Sequence, residues 1–224
     1  MTLLQVSEAV EQRQSTRAFL ERPVEWEQVR DLVRRAGQAP SGGNIQPWKV
    51  YVVRGQPKAE LTAKVLERAA RNDRETSVYP IYPSGLWDPL DRRRREAGEV
   101  RFKSRGQTRE TSDVAEMERD NYRFFGAPVG LFLTLDHRCG PPQWADAGIF
   151  LQTFMLLAEG VGLSTCPQEV WALWPRTVGE AVGFDETEVL YTGLSLGYGD
   201  KVSPLNAYRT GRAPLEEFAV FSGF

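Results

Sequence analysis

Two short strings near the N-terminus carry most of the chemistry this chain advertises. Arg13-Gln14-Ser15-Thr16-Arg17 sets two guanidiniums on either side of a hydroxyl. Arginine presents fixed, forked donors suited to phosphate, and the serine adds one more, so the string reads as a compact anion site. The competing reading is a solvated basic face beside a helix end. The second string is Ala39-Pro40-Ser41-Gly42-Gly43-Asn44-Ile45-Gln46-Pro47-Trp48. Its glycines let the backbone approach a ligand closely, while Ser41, Asn44 and Gln46 supply short polar handles. Its prolines hold one shape and lower the entropic cost of binding. An ordinary helix–strand connection needs far less polar chemistry than this.

Composition narrows the chemistry available to the rest of the chain. The sequence has 224 residues, a net charge of −2 and a pI near 5.7, which argues against a nucleic-acid binder. Leu, Ile, Val and Phe make up about a quarter of the chain, enough for a sizeable core and too much for disorder. Two cysteines and one histidine leave no room for a zinc cluster or a disulfide scaffold. A nucleophilic triad would have to rest on His137, which reads as a loop residue after a strand. The longest apolar run, around residues 129–135, falls far short of the roughly 20 residues of a membrane helix. The opening MTLLQVSEAVEQR lacks a basic then apolar leader. The expectation is a soluble, cytoplasmic, globular protein with no membrane and no nucleic-acid partner.

Hydrophobic spacing supplies the elements that must position these strings. Helices are predicted over 26–38, 57–73, 113–125 and 144–160, the last being the most apolar. Strands are predicted at 48–53, 129–135, 163–166 and 189–197, with a short helix between the last two. Residues 74–112 read as polar and irregular, with Tyr79, Trp87 and the run Arg92-Arg93-Arg94-Arg95 inside them. That run suits an anionic substrate, the phosphates of a nicotinamide dinucleotide, or a solvated helical face. The final 20 residues read as extended and end in a hydrophobic EEFAVFSGF. No repeat or linker interrupts the chain, so residues 1–224 are expected to form one α+β domain. Trp144, Trp171 and Trp174 are expected in the core or at an interface, and Cys139 and Cys166 as free thiols.

Taken together, the blocks resemble a known family. Arg-x-Ser-x-Arg-x-Phe at 13–19, a helix, and then Ala-Pro-Ser-Gly-x-Asn-x-Gln-Pro-Trp resemble the FMN-dependent nitroreductase superfamily. Further blocks follow in register: Phe124-Phe125-Gly126-Ala127-Pro128, Gly162–Glu169, Gly197-Tyr198-Gly199-Asp200, Pro204-x-Asn206 and Arg212–Phe218. The middle segment, with Trp87-Asp88-Pro89, is most similar to the nitrobenzoate-reductase-like branch.

The resemblance implies an antiparallel-rich sheet flanked by helices in an intertwined homodimer, with FMN at the subunit interface. It implies that Arg13, Gln14, Ser15 and Arg212 serve the FMN phosphate side, and that Arg17 approaches the N1 and C2 carbonyl edge of the ring. Pro40, Ser41, Asn44 and Gln46 would line the cofactor from the partner subunit. Pro167, Gln168 and Glu169 would cover one ring face. Tyr79, Trp87 and Arg123 are the candidate substrate contacts, with 74–112 an inserted lid and 205–224 a partner-embracing tail. No protein residue is expected to be catalytic and no metal is expected, because the flavin carries the chemistry. The implied activity is transfer of electrons from NADH or NADPH to nitroaromatic or similar electron-poor aromatic compounds in a ping-pong cycle. Dehalogenation, quinone or enone reduction on the same scaffold, or FMN binding without turnover, are the alternatives.

Overall fold

The computed structural model describes residues 5–223. Four strands form one sheet in the order β1-β2-β4-β3, and every neighbouring pair is antiparallel. They are β1 (Trp48–Arg54), β2 (Val129–Asp136), β3 (Ser164–Gln168) and β4 (Glu188–Gly197). Side chains alternate along β2, and the two faces of the sheet accordingly have separate cores. Leu131, Leu133 and Leu135 pack with Val29 and Leu32 of α2 (Trp26–Ala36) and with Phe150 and Phe154 of α6 (Pro141–Gly160). Phe132 points the other way, towards Leu61 and Val65 of α3 (Gly55–Ala70), Tyr122 of α5 (Val114–Tyr122) and Val178 of α7 (Pro175–Val182). This is the expected α+β architecture, with helices on both faces of an antiparallel sheet.

A close approach between sheet and aromatic side chains fixes the far core. A Cβ added at Gly193 of β4 would fall 2.2 Å from Trp171, so only glycine admits that ring against the strand. Trp171 stacks on Phe124 with ring centroids 4.8 Å apart and meets Phe132 edge-on. Trp171 and Trp174 are fully buried as expected, and both cysteines are free.

Two elements depart from the sequence reading. Residues 6–12 form a short helix α1 (Val6–Gln12), for which the sequence reading made no separate prediction. More importantly, the stretch read as irregular contains α4 (Leu90–Lys103). Its apolar positions are too few to mark a helical stripe. Ion pairs one turn apart, Asp91 with Arg95 and Arg92 with Glu96, support it instead. Smaller differences lie at boundaries. Helix α6 starts at Pro141, where proline suits the first turn and Gln143 accepts from the Gly140 N–H at 3.0 Å. The predicted helix over 113–125 gives way after Tyr122 to a 3-10 turn at Phe124–Gly126.

Glu75 fastens the start of the 74–112 stretch to α7. Its buried carboxylate meets Arg68 at 2.6 Å and accepts from the Thr177 hydroxyl at 2.7 Å and from the Arg176 N–H at 2.7 Å. Burial works to raise its pKa, but the hydrogen bonds from Thr177, Arg68 and the backbone prevail and hold it below the ordinary 4.5. A carboxylate held down in the folded state stabilises fully above its unfolded value and loses that contribution as pH falls through the folded one. Glu75→Gln is therefore expected to cost about 2 kcal/mol at neutral pH, the scale of hydrogen bonds to a charged group. Urea unfolding at neutral and acidic pH checks this: the gap between parent and variant should narrow below the ordinary carboxylate pKa. A gap independent of pH would count against it.

Candidate active site

The N-terminal anion string runs beside β3, held by one isolated β-bridge. Ser15 pairs with Thr165, and the Thr16 N–H donates to the Thr165 carbonyl at 2.9 Å. In extended chain alternate side chains share a side. Thr16 is buried, while Ser15 and Arg17 line an open cavity on the other side together with Arg13 and Gln14. The C-terminal segment closes this cavity of about 400 Å³ with Tyr208, Arg209, Thr210 and Arg212.

Asn206 locks the two segments together. Its side-chain oxygen accepts from the Arg17 N–H at 2.7 Å, and its amide donates to the carbonyls of Ala18 and Asp200, each at 2.8 Å. The Gln14 amide donates to the Asn206 carbonyl at 3.0 Å, and Arg17 donates to the Tyr208 hydroxyl at 3.0 Å. Gln14 and Arg17 are thus oriented by the tail.

A second cavity of about 530 Å³ shares Arg17 with the first. Its wall includes Pro167, Gln168 and Glu169 at the end of β3, Met117 and Asn121 of α5, and Arg101 and Phe102 of α4. The Gln168 side chain is almost wholly buried and serves as a brace. It donates to the Asn121 carbonyl at 2.6 Å and accepts from the Ser195 hydroxyl at 2.7 Å. Burial pushes the Glu169 carboxyl above the ordinary carboxylate range, and it likewise pushes up the thiol of Cys166.

Charge is the unusual feature of the two cavities. Among the described residues 13 arginines have a carboxylate within ion-pair distance; of the ten that do not, Arg13, Arg17, Arg101, Arg209 and Arg212 line these two cavities, and Arg22, Arg30, Arg54, Arg94 and Arg176 line neither. The Arg13 guanidinium is perturbed downward, first by burial and then by the charge of Arg212. Arg17 and Arg101 each bury an Nε with no hydrogen-bond partner. Unneutralised cations gathered around open cavities are costly until an anion joins them.

The remaining predicted site residues lie elsewhere. Pro40, Ser41, Asn44 and Gln46 line neither cavity; their loop packs on α6, where the Gly42 N–H donates to Asp146 at 3.2 Å. Asn44 and Gln46 both adopt positive φ, 58° and 49°, and are exposed. The loop is braced internally, with the Gln46 N–H on the Ser41 hydroxyl at 3.0 Å and the Gln46 amide on the Asn44 carbonyl at 3.0 Å.

Tyr79 lines neither cavity: its hydroxyl donates to the Tyr191 carbonyl and its ring meets Trp144 edge-on. Trp87 is 59% exposed, and Arg123 is paired with Glu116 and Asp120. From the same stretch it is Ile81 and Tyr82 that reach the second cavity. Each arginine of the 92–95 run already has a partner: Glu96 for Arg92, Glu217 for Arg93, the Tyr82 ring for Arg94 and Asp91 for Arg95.

The sequence reading left out Asn206, Tyr208, Arg209 and Arg101, and it counted Tyr82 in the aromatic wall of the 74–112 stretch without choosing it as a substrate contact. Asn206 stood in a quoted block yet carried no assigned role. Arg101 sat within the stretch read as irregular, where nothing fixed its direction.

Residues 10–198 match the Nitroreductase family. The chain belongs to that family. It is 36% identical over 217 residues to the 4-nitrobenzoate reductase of Pseudomonas putida, covering 96% of this chain and 94% of that protein. It is 34% identical over 227 residues to the nitrobenzene nitroreductase of Ectopseudomonas oleovorans, covering 96% of each. Among solved structures, the FMN and NADPH-dependent nitroreductase NfnB from sphigopyxis sp. strain HMH superposes with a TM-score of 0.94 at 40% identity, covering 99% of this chain and 100% of that one. The FMN-dependent NfnB from Mycobacterium smegmatis, in complex with NADPH, superposes at 0.90 with 32% identity, covering 97% and 100%. For a member of this family, unpaired arginines around two cavities that share Arg17 as a lining residue fit a cofactor that carries a phosphate at one end and a polar ring edge at the other. No helix among the described residues is long and apolar enough to cross a membrane.

Proposed function

We propose that this protein is an FMN-dependent NAD(P)H nitroreductase acting on nitroaromatic compounds, working as a cytoplasmic homodimer. The observation that carries the reading is the set of five unpaired arginines on two cavities that share Arg17 as a lining residue. Arg13, Ser15 and Arg212 hold the phosphate, with Gln14 pinned to the tail beside them. Arg17 serves the N1–C2 carbonyl edge, where a fixed cation favours the reduced state because arginine stays charged at every working pH. Pro167 and Glu169 cover one ring face, and Gln168 braces that turn from behind through Asn121 and Ser195. FMN held there would supply the two-electron chemistry that links NADH or NADPH to the nitroaromatic acceptor in a ping-pong cycle.

Two features support the dimer. The tail leaves Leu215, Phe218 and Val220 exposed, Val220 to 94%, and such a patch is covered most simply by a second copy. The Pro40–Gln46 loop faces away from the cavities of its own chain, so Pro40, Ser41, Asn44 and Gln46 serve the partner's flavin. In this reading residues 1–224 form one domain, with 74–112 as its lid and 205–224 as its partner-embracing tail.

The lid presents Tyr82 to the ring cavity, and a flat acceptor stacked on the flavin needs such a wall. Tyr82→Ala is expected to keep its FMN while slowing flavin reoxidation by nitroaromatics at least several-fold, the scale of one lost aromatic contact of about 1 kcal/mol. Anaerobic mixing of the reduced protein with a panel of acceptors reads this step apart from nicotinamide binding. Reoxidation by every acceptor at the parent rate would remove the lid from the site. Tyr79→Ala, by contrast, should act through packing against Trp144.

A further inference from the structure

We propose that Arg101, carried by the inserted helix α4, is a second cation on the N1–C2 carbonyl edge of the bound flavin, acting with Arg17. The proposal rests on the flavin reading above and adds a residue to it. Arg101 and Arg17 line the same 530 Å³ cavity, whose floor is the Cys166–Glu169 turn. Each buries an Nε without a partner. Arg101 donates to the Met117 carbonyl at 3.2 Å and Arg17 to the Ser15 carbonyl at 3.1 Å, which orients both guanidiniums without neutralising either.

The carboxylates of the cavity do not answer this charge. Glu118 is held by Arg74 at 2.8 Å and by the Tyr122 hydroxyl at 2.6 Å, and Glu169 makes no ion pair among the described residues. Burial, and then the charge of Arg17, lower the Arg101 guanidinium from its ordinary pKa, while it stays charged. Two like charges sharing a partly dry cavity repel unless an electron-rich group lies between them. The other arginines of α4 are engaged by Glu96, Glu217, Asp91 and the Tyr82 ring, so Arg101 is set apart on its own helix.

The chemistry of the ring supplies that group. A hydride from NAD(P)H leaves NAD(P)+ behind and puts two electrons and one proton on the flavin. The remaining negative charge settles on the N1–C2 carbonyl edge. Two guanidiniums there favour the reduced over the oxidised ring, and they do so before any acceptor arrives.

The test is the two-electron reduction potential of bound FMN, measured by equilibrium dye titration in the parent, Arg101→Gln and Arg101→Lys, with FMN affinity measured alongside. Arg101→Gln should lose about tenfold of the preference for reduced over oxidised flavin, which for a two-electron couple is about 30 mV more negative. Arg101→Lys should recover part of that, and oxidised FMN should bind nearly as in the parent. If Arg101→Gln does not fold, Arg101→Met carries the same expectation. An unchanged potential overturns the proposal, whether both oxidation states bind equally more weakly, as for a packing role, or only the KM for a nitrobenzoate rises, as for a substrate contact. A parent protein that holds no FMN would instead bring down the flavin reading itself, and the proposal with it.

Discussion

Replacing Arg13 and Arg212 together with alanine is expected to strip the flavin, weakening FMN affinity roughly 10²- to 10⁴-fold. Each charge-assisted bond to phosphate is worth about 1.5–3 kcal/mol, and every 1.4 kcal/mol is a factor of ten. Arg212 is exposed, so solvent screening places the effect towards the lower end of that range. The fold itself should not suffer. Burial first and then the charge of Arg212 press on the Arg13 guanidinium; Glu159 offsets part of this without reaching ion-pair distance. Removing both therefore relieves repulsion in the flavin-free protein. Thermal unfolding of the flavin-free variant at or above the parent's Tm, with FMN lost on gel filtration, is the expected pair of results. Retention of full flavin absorbance would sink the phosphate assignment.

Truncation after Pro204 should abolish flavin binding and the dimer at once. The lost segment contains Asn206, which holds the Arg17 and Ala18 backbone, and Tyr208, which holds the Arg17 guanidinium. It also contains Arg209 and Arg212 from the wall of the phosphate cavity. Leu215, Phe218 and Val220 go with it, the exposed apolar surface that the proposed dimer would cover. Light scattering with a flavin assay reads both losses. Phe218→Asp with Val220→Asp separates the roles, since it removes apolar anchors while leaving every residue that lines the two cavities in place. A truncated chain that remains a flavin-loaded dimer would show that the tail has neither role.

The difference between what the sequence disclosed and what it withheld has a physical origin. The four strands were legible because their apolar runs are bounded by turn residues and buried on one or both faces, as at Val129–Asp136. Arg13, Ser15 and Arg17 were legible because alternate residues of an extended chain share a side, so the spacing itself states a common direction. Helix α4 was not legible, because it is polar almost all round and its period shows only in acid–base pairs one turn apart. Arg101 was hidden for the same reason: an arginine's role depends on whether an acid answers it, and that is a matter of packing. Tyr79 and Trp87 were chosen for their aromatic character, yet it is the neighbouring Tyr82 that reaches the cavity. In an irregular segment no period predicts which ring turns inward. For the Pro40–Gln46 loop the family resemblance implied a place beside the partner's cofactor, and the loop accordingly lines neither cavity of its own chain.

The central claim is that these cavities hold FMN and pass electrons from a nicotinamide to a nitroaromatic acceptor. The most direct measurement follows the flavin spectrum of the purified protein anaerobically through both half-reactions. The account predicts a yellow protein with FMN on every chain, bleached by NADPH or NADH and restored to its full oxidised spectrum by a nitrobenzoate or nitrobenzene. A protein that carries FMN but is bleached by neither nicotinamide, or that stays bleached when the nitroaromatic is added, would contradict it.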